Sequence, residues 1–376
     1  MEFQIEKGIF NNAIKKGAGA VSTRAVVPAL SGVHLVANEE GIIITGSDSD
    51  LSIRTFIQND EMAGAEILNA GSIILPAKQL SNIVRSMPDN IISVKMLDGL
   101  KVEISSGKSK FTLNGMDGNE YPKLPEIKGE SFQIKATYLK EMIDKTIYAV
   151  SKIDARPIIT GVNLFAQNGR IAMVATDSHR LSKVVGDEVA GDIPNTVTLP
   201  EKTLKELSSL ISDSSYVTVM QKDNQIVFQT DEFYVLSRVL EGNYPQTDRL
   251  IPMDYKTLLT ADRRQLLSSI ERSAILATEN NTITLKVTNK NNGIFETIEL
   301  SHTNSELGQS KEDIIVEKIE GEEITISFNP KYMIDALKRI DEETVVIEFN
   351  GTTRPFVIKP LEKHDFIQLA LPVRIY

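Results

Sequence analysis

The sequence predicts an α+β protein made of three similar domains, each with two helices packed on antiparallel sheets. Three observations support this fold class: one strand-turn motif recurs along the chain, short sequence matches repeat at a nearly constant offset, and helical segments come in pairs separated by alternating strands. At 376 residues the chain also exceeds the size that one hydrophobic core usually supports, so several domains are expected.

The most informative motif lies near the middle of the chain, at residues 176–181 (Thr-Asp-Ser-His-Arg-Leu). An apolar run at 171–175 leads into it, which is typical of a strand that ends in a turn at Asp-Ser. Residues 43–51 have the same pattern, and residues 299–303 (Glu-Leu-Ser-His-Thr) form a weaker echo. The three occurrences predict an internal repeat.

Short matches give the length of this repeat. Phe-Gln-Ile at 3–5 recurs at 132–134, which is 129 positions later, and Gly-Asn-Glu-Tyr-Pro at 118–122 recurs at 242–245 with one deletion. Such spacings are much longer than a solenoid period, so each unit is a whole domain. Proline-rich stretches after each Tyr-Pro are typical of linkers, which places the domains at residues 1–126, 127–253 and 254–376.

Six segments show the period of amphipathic helices, two in each third of the chain. Proline at the first helical position, where its missing N–H costs nothing, marks the second helix of each pair at Pro76, Pro200 and Pro330. The short alternating runs between helices predict half-buried antiparallel strands, joined by turns such as Asp98-Gly99 and Asn350-Gly351.

Composition is that of an ordinary soluble globular protein, with 41% apolar and 24% charged residues. No stretch approaches the ~18 consecutive apolar residues of a membrane span, and the N-terminus shows no signal region. Since the chain has no cysteine, disulfides and thiolate zinc sites are excluded. A cytoplasmic protein without a membrane partner is expected.

Positive charge is concentrated in the helical segments. The net charge of −10 alone argues against a nucleic-acid partner, but the six helical windows together carry +10, which leaves −20 on the rest of the chain. Lys and Arg are also good helix formers on solvated faces, and that alternative stays open. Because no aromatic residues interleave with these bases, the pattern favours sequence-independent contact with duplex phosphates over base stacking or base readout.

Catalytic chemistry is missing from the sequence. The four histidines, His34, His179, His302 and His364, are scattered without metal-ligand spacing, and Asp177 with His179 is a pair that is common in turns. No nucleotide-binding glycine loop and no nucleophile elbow occurs. We therefore expect a binding or scaffolding protein rather than an enzyme, with no metal site and no cofactor.

With three similar domains, basic helices and these motifs, the chain resembles the bacterial sliding clamps, the β subunits of the replicative DNA polymerase III holoenzyme. The resemblance covers the full length and is most specific at residues 176–181, at Gly-Asn-Tyr-Pro (242–245) with Arg249-Leu250, and at Leu371-Pro372-Val373-Arg374. It implies three DNA-clamp domains per chain and a head-to-tail homodimer that closes a ring around duplex DNA, with the helices lining the hole.

The resemblance also implies which bases face DNA. Arg24, Lys152 and Arg156 match the family at the inner surface or its rim, whereas Lys15, Lys78, Lys202 and Lys338 follow only from the charge pattern. A simply solvated lysine is the alternative for each of these helix bases. Because a closed ring is retained by topology, weak phosphate contacts would allow sliding without sequence specificity.

A head-to-tail dimer needs two different surfaces that fit each other. The resemblance implies that Ile275 and Leu276 of one chain meet Phe111 of its partner, on a strand that also carries the bases Lys108 and Lys110. Acidic counterparts are expected at Glu306 and Glu312. The alternative is that Ile275 and Leu276 continue the core face of their own helix.

Partner proteins of the family, namely polymerases, the clamp loader and repair proteins, insert a short Gln- and Leu/Phe-containing peptide into a pocket between the second and third domains. By match to the family, the pocket here comprises Ile159, Thr176, His179, Arg180, Leu181, Pro245, Arg249, Leu250, Leu371, Pro372, Val373 and Arg374. Aliphatic side chains offer apolar area, while Thr and Arg are suited to fix an extended backbone. For Leu181 and Leu250 ordinary core packing is the alternative.

Two positions depart from the family pattern, because Ser178 replaces a glycine of some relatives and Tyr376 extends beyond the usual ending. Both are expected to bear on peptide preference. Two other functions stay open at this point. The first is a monomeric peptide-binding scaffold that never encircles DNA, and the second is an enzyme that uses His179.

Overall fold

The structure is a computed structural model of the chain. It describes residues 1–22, 27–59, 64–125, 127, 129, 131–153, 155–167, 169–191, 196–212, 216–277, 282–288, 296–304 and 307–374. None of the helices within these residues combines the length and the hydropathy that crossing a bilayer requires.

One order of elements occurs three times: a strand, a helix, a group of strands, a second helix and a final group of strands. The six helices of the described residues are α1 (Lys7–Ala18), α2 (Ala77–Ser86), α3 (Ala136–Thr146), α4 (Glu201–Leu210), α5 (Arg263–Ala274) and α6 (Pro330–Leu337). This arrangement agrees with the predicted α+β repeat and with its pairing of helices.

The strands of each repeat follow the same plan. The first repeat contains β1 (Glu2–Glu6), β2 (Gly32–Asn38), β3 (Gly41–Ser47), β4 (Leu51–Gln58), β5 (Ala65–Asn69), β6 (Gly71–Pro76), β7 (Ile91–Leu97), β8 (Lys101–Ser106), β9 (Ser109–Asn114) and β10 (Met116–Asp117). The second contains β11 (Ser131–Lys135), β12 (Gly161–Gln167), β13 (Arg170–Thr176), β14 (Arg180–Glu188), β15 (Ala190–Gly191), β16 (Thr196–Pro200), β17 (Tyr216–Lys222), β18 (Gln225–Gln229) and β19 (Phe233–Arg238). The third contains β20 (Thr257–Asp262), β21 (Ile283–Val287), β22 (Glu296–Asn304), β23 (Gly308–Val316), β24 (Lys318–Gly321), β25 (Ile324–Phe328), β26 (Thr344–Phe349), β27 (Phe356–Pro360) and β28 (Phe366–Ala370).

The repeats are joined by strand pairing. A ten-stranded sheet runs β10-β6-β2-β3-β4-β19-β18-β17-β11-β15, and β4 pairs with β19 so that Ser52 lies opposite Leu236. A nine-stranded sheet runs β16-β12-β13-β14-β28-β27-β26-β20-β24, and β14 pairs with β28 so that Leu181 lies opposite Leu369. We call the β4–β19 pairing the first junction and the β14–β28 pairing the second junction.

By its internal contacts the chain divides into two compact units. One comprises Met1–Lys140, Val189–Ile193 and Lys202–Val239, and the other Glu141–Glu188, Pro194–Glu201 and Leu240–Tyr376. This division differs from the three repeats because the second repeat contributes strands to both large sheets. The predicted domain limits near residues 127 and 254 describe the repeat along the sequence, and they stay a prediction.

In the first unit α1 packs on α2 and on the strands of both sheets. Phe10 of α1 meets Phe3 edge to face at 5.7 Å, and Gly17 lets the helix approach β3, since a Cβ there would lie 3.0 Å from Ile44. In the second unit α5 packs on α6 and on a four-stranded sheet (β23-β22-β21-β25), mainly on its strands β22 and β23. The apolar faces predicted from the helical period are the faces that these helices bury.

Helix starts agree with the proline pattern to within one residue. Pro330 is the first residue of α6, and Asn329 caps the helix by accepting the backbone N–H of Lys331 at 2.9 Å. Pro76 and Pro200 instead end β6 and β16, opposite Gly32 and Gly161, so the chain is still extended at these prolines and the helix begins one residue later.

The prediction of a third strand-turn motif at residues 299–303 is wrong. Residues 299–303 lie inside β22, which pairs with β23 as far as Asn304, so the chain does not turn there. The physical reason is that this stretch has no aspartate at the turn position; instead, His302 is buried and its Nδ1 lies 2.6 Å from the carbonyl oxygen of Thr282.

Candidate functional site

The turn between β13 and β14 is held by the carboxylate of Asp177. Its Oδ1 accepts the backbone N–H groups of His179 at 2.9 Å and Arg180 at 3.0 Å, and its Oδ2 accepts Nε of Arg180 at 3.0 Å. The backbone N–H of Ser178 donates to Oγ1 of Thr176 at 3.1 Å. Because these bonds satisfy the backbone donors of the turn locally, the turn keeps one shape.

The same turn occurs between β3 and β4. There Asp48 accepts the backbone N–H groups of the residues two and three positions later, at 3.1 and 2.8 Å, and Ser49 donates to Oγ of Ser47 at 3.2 Å. Ser49 and Ser178 both have left-handed backbones, with φ of 83° and 78°. The repeat between the first two domains therefore extends to individual hydrogen bonds.

The guanidinium of Arg180 is bonded within the chain. Nη1 donates to Oδ2 of Asp335 on α6 at 2.6 Å, Nη2 donates to the carbonyl oxygen of Tyr148 at 2.7 Å, and the group lies 4.8 Å from the ring centre of Tyr332. Its side chain is only 10% exposed. Arg180 therefore ties the turn to α6, and what it offers a ligand is its aliphatic stem and backbone.

A small pocket, which we call the anchor pocket, opens beside this turn at the second junction. Its volume is about 110 Å³, which is below the ~300 Å³ of typical small-molecule sites and fits one apolar side chain. The pocket is lined by Thr176, Ser178, His179, Arg180, Leu181, Leu250, Pro355, Leu369, Ala370 and Leu371. Leu181 and Leu369 belong to the buried cluster beneath it, whereas Leu250 is 51% exposed at the rim.

Three polar contacts hold the walls of the anchor pocket. The backbone N–H of Thr176 donates to Oη of Tyr244 at 3.2 Å, and burial raises the pKa of the Tyr244 phenol, so it stays protonated. The backbone N–H of Leu371 donates to the carbonyl oxygen of His179 at 2.8 Å, which fixes the segment after β28. The buried ammonium of Lys183 donates to Oδ1 of Asp248 at 2.6 Å and so holds the short 3-10 helix that ends at Leu250.

A larger cleft of about 670 Å³ adjoins the pocket, because His179 and Arg180 line both. We call it the side cleft. Its other lining residues are Val150, Ser151, Lys152, Ile153, Asp177, Ala274, Ala277, Asn329, Pro330, Lys331, Tyr332 and Ile334. The two cavities together offer an extended groove with an apolar hole at one end, which is the shape that an extended peptide occupies.

The first junction has the equivalent backbone hydrogen bonds but different side chains in place of the apolar lining. The backbone N–H of Arg238 donates to the carbonyl oxygen of Asp50 at 2.8 Å, as Leu371 does to His179. Ser52 takes the place of Leu181, and its hydroxyl lies 2.8 Å from that of Ser47. With Ser52 and Arg238 where the second junction has Leu181 and Leu371, the first junction offers less apolar surface to an anchor side chain.

Four of the seven bases predicted to face DNA already have partners within the chain. Lys202 donates to Asp48 at 2.5 Å, Lys338 pairs with Glu271 at 2.8 Å, and Lys152 pairs with Glu201. Arg156 donates from Nη2 to Oγ of Ser178 at 2.9 Å. Lys15 on α1 and Lys78 on α2 are exposed and form no ion pair within the described residues, and Arg24 lies outside those residues.

Two strands at sheet edges carry some of the residues predicted for a dimer, namely Lys110 and Phe111 on β9 and Glu312 on β23. β9 ends the five-stranded sheet (β5-β1-β7-β8-β9) with Phe111 44% exposed, and Lys110 on it pairs with Glu103 at 3.2 Å beside the exposed Lys108. β23 ends the four-stranded sheet. Unpaired edge strands present backbone groups that another chain can complete.

Ile275 and Leu276 directly follow α5, and this helix packs on β23. Ile275 is 78% exposed, so it is not part of the core of its own helix, while Leu276 is half-buried. The carboxylate of Glu312 on β23 is bonded to Arg272 of α5, which lowers the pKa of Glu312. Glu306 lies outside the described residues.

Comparison with known proteins agrees with this geometry along the whole chain. Models of the DNA polymerase III beta subunit match residues 1–125 (N-terminal domain), 133–246 (central domain) and 248–374 (C-terminal domain). The Beta sliding clamp of Bacillus subtilis strain 168 is 38% identical over 382 residues, and that of Staphylococcus epidermidis strain RP62A is 37% identical over 381 residues, with both chains fully covered in each case.

This chain belongs to the bacterial sliding clamp family.

Solved clamp structures have the same fold. The sliding clamp of Bacillus subtilis gives a TM-score of 0.92 at 37% identity, and a clamp from Pseudomonas aeruginosa bound to griselimycin gives 0.90 at 28% identity, each covering all of both chains. The three repeats are therefore three clamp domains, each with two helices packed on antiparallel sheets, and the function of this clamp subunit is that of a DNA polymerase sliding clamp.

Six of the twelve residues predicted for the clamp pocket line the anchor pocket, and six do not. The predicted residues that line the anchor pocket are Thr176, His179, Arg180, Leu181, Leu250 and Leu371. Those that do not line it are Ile159, Pro245, Arg249, Pro372, Val373 and Arg374. Ile159 is buried, whereas Pro245, Arg249, Val373 and Arg374 are exposed near the same loops, and the backbone N–H of Val373 donates to the carbonyl oxygen of Ser327 at 2.7 Å.

Sequence reasoning missed four lining residues of the anchor pocket, Ser178, Pro355, Leu369 and Ala370. Of the residues that line the side cleft, it assigned only His179 and Arg180 to the pocket. Leu369 and Ala370 could have been found from the register of β28 against β14, since they lie opposite Leu181 and Arg180. Pro355 directly precedes β27, and no local sequence motif indicates that it lines the pocket.

Proposed function

We propose that two copies of this chain close head to tail into a ring around duplex DNA and tether partner proteins to it for processive synthesis. The observation that carries the proposal is the match to the clamp family along the full length, together with an apolar pocket at the Asp177 turn of the second domain. The work of such a ring is mechanical, so the protein is not an enzyme, and it acts in the cytoplasm where the chromosome is replicated.

DNA contact in this proposal is sequence-independent. Helix bases attract the polyanion, and topology rather than affinity retains it. Lys15 and Lys78 are the strongest candidates among the predicted DNA-facing residues because both are exposed and unpaired within the described residues. Lys202 and Lys338 are weaker candidates, since each must leave an acidic partner to reach a phosphate.

The ring requires one heterologous interface, used twice. We place it between the β9 edge of one chain and the β23 edge of its partner, where each sheet would be extended by backbone hydrogen bonds. Phe111 and Ile275, both exposed and apolar, would cover each other in that arrangement. The bases Lys108 and Lys110 would meet acidic groups of the partner, among them the predicted Glu306, which lies outside the described residues.

Partner proteins bind through short peptides that place one apolar side chain in the anchor pocket and run along the side cleft. Polymerases, the clamp loader and repair proteins are the partners, and the griselimycin complex of the Pseudomonas aeruginosa clamp supports a ligand site in this family. Leu250 at the rim and Leu181 at the floor supply apolar contact, and Thr176 with the fixed turn offers polar groups to the peptide backbone.

The peptide site is tested by replacing Leu250 with alanine. Because Leu250 is half exposed, Leu250→Ala should leave the unfolding temperature unchanged and weaken binding of a fluorescein-labelled peptide containing Gln and Leu by about tenfold, as expected when one apolar contact of a small pocket is lost. Leu361→Ala is the matched control, since Leu361 is 46% exposed and does not line the pocket. Equal peptide affinity for both variants would contradict the proposed site.

A further inference from the structure

Ser178 stands where the turn alone would be less strained with glycine. Its φ of 78° lies in the left-handed region, which is unfavourable for a residue that carries a Cβ. Ser178 nevertheless lines the anchor pocket, at the tip of the turn. Ser49 at the first junction has nearly the same φ, so the conformation belongs to the turn, and what distinguishes Ser178 is its place at the anchor pocket.

The hydroxyl of Ser178 has one side-chain partner. Nη2 of Arg156 donates to Oγ of Ser178 at 2.9 Å. Arg156 directly precedes the 3-10 helix Pro157–Thr160, whose Ile159 is buried, so the guanidinium extends from an anchored segment. The bond therefore joins two separate loops at the edge of the pocket.

The first junction provides an internal comparison. Ser49 has nearly the same φ as Ser178, and its backbone N–H makes the equivalent bond to a hydroxyl. The residue 129 positions before Arg156 is Val27, which has no group to donate to Ser49. The bond between an arginine and the turn serine thus occurs at the junction whose turn lines the anchor pocket, and the turn at Ser49 forms the same backbone conformation without an arginine at the corresponding position.

We propose that the Arg156–Ser178 hydrogen bond is a latch that limits the size of the side chain the anchor pocket admits. The inference rests on the proposed peptide site and names what sets its preference. In a pocket of about 110 Å³, a lining residue that is held in place by a hydrogen bond decides whether an aromatic ring can enter. The pocket with the Arg156–Ser178 bond intact therefore selects an aliphatic anchor. Arg156 is thereby assigned to the peptide site and not to the DNA-facing surface.

The test measures a ratio of affinities, which a general loss of structure would not change selectively. Two fluorescein-labelled synthetic peptides that contain Gln and differ only by Leu or Phe at the anchor position are titrated against the full-length chain. The unmodified protein should prefer the Leu peptide by roughly tenfold. Ser178→Ala and Arg156→Gln should each reduce this preference about threefold or more, and the double variant should reduce it no further, because both remove one bond.

Ser49→Ala is the matched control, since it removes the same hydroxyl from the same backbone conformation at the junction without the latch. It should leave the ratio unchanged. An unchanged ratio in Ser178→Ala and Arg156→Gln, with both peptides still bound, would overturn the latch and leave the peptide site standing. If the unmodified chain binds neither peptide, the peptide site itself fails and the latch fails with it.

Discussion

Asp177 shapes the peptide site although it does not line the anchor pocket. Its carboxylate accepts two backbone N–H groups and Nε of Arg180, and through Arg180 it is linked to Asp335 on α6. Arg180 was predicted to fix the peptide, because an exposed guanidinium suits that role, but its partners lie far away in the sequence. Only the folded chain shows that this charge is already bonded.

Replacing Asp177 with alanine tests whether the hydrogen-bonded shape of this turn is needed for peptide binding, and the equivalent turn at Asp48 provides the comparison. Asp177→Ala leaves two backbone donors and Nε of Arg180 without a partner, so we expect a loss of about 1–3 kcal/mol in unfolding free energy and no measurable binding of the Gln- and Leu-containing peptide. Asp48→Ala removes the same cap at the first junction. Asp48→Ala should lower the free energy of unfolding, measured in urea, by a similar amount and leave peptide affinity unchanged. A loss of peptide binding in Asp48→Ala would contradict this assignment.

His34 gives the protein a pH-sensitive position away from the pocket. The imidazole stacks on Tyr121 at 4.9 Å, and Nε2 is buried without a partner within the described residues. Burial, and secondarily the charge of Arg54, lower the pKa of His34 below 6.5. As the pH falls below 6.5 the unfolded chain binds a proton that the folded chain resists, so folding stability is complete above pH 6.5 and decreases below it.

Urea unfolding at pH 7.5 and 5.5 checks this contribution. His34→Phe keeps an aromatic ring against Tyr121 and removes the titrating group, so its stability should fall less between the two pH values than that of the unmodified chain. His364→Phe is the control, because His364 is exposed, and it should keep the full decrease. Identical decreases in all three proteins would show that His34 does not contribute.

At the scale of elements, the repeat could be predicted because its signals are local. The period of each helix and the Asp-Ser turn are contained in short stretches of sequence, and the structure has the six helices and the turns at Asp48 and Asp177. Pairing between repeats could not be predicted, because β4 meets β19 and β14 meets β28 across long sequence separations. The missed pocket residues Leu369 and Ala370 come from that pairing.

The edge strands and the end of α5 carry a prediction about assembly. Ile275 is exposed in the single chain, so Ile275→Asp should not unfold it, but a charge at an apolar interface should prevent dimer formation. Light scattering should then give the mass of one chain, against twice that mass for the unmodified protein. Met253→Asp is the control because Met253 is 99% exposed and belongs to neither edge strand, and it should remain a dimer. A monomer for the unmodified chain at every concentration would contradict the ring.

At the scale of the whole molecule, charge is segregated in the sequence between basic helices and an acidic remainder, with +10 against −20. The structure shows that this total overstates the charge free to attract DNA. Lys7 donates to the carbonyl oxygen of Met87 at 2.5 Å, and the buried Lys145 pairs with Glu141 and Asp341. Weak residual attraction suits a ring that must slide, because tight phosphate binding would hold it in place.

The most direct test of the central claim is retention on DNA at high salt. The clamp, loaded by a clamp loader onto a nicked circular duplex, is passed through gel filtration in 1 M salt, and then the circle is cut once with a restriction enzyme. Salt of that strength removes phosphate contacts but does not open a closed ring. We expect the protein to elute with the circle and to be lost from the linear product. Loss from the intact circle, or equal retention on both forms, would contradict a topological tether.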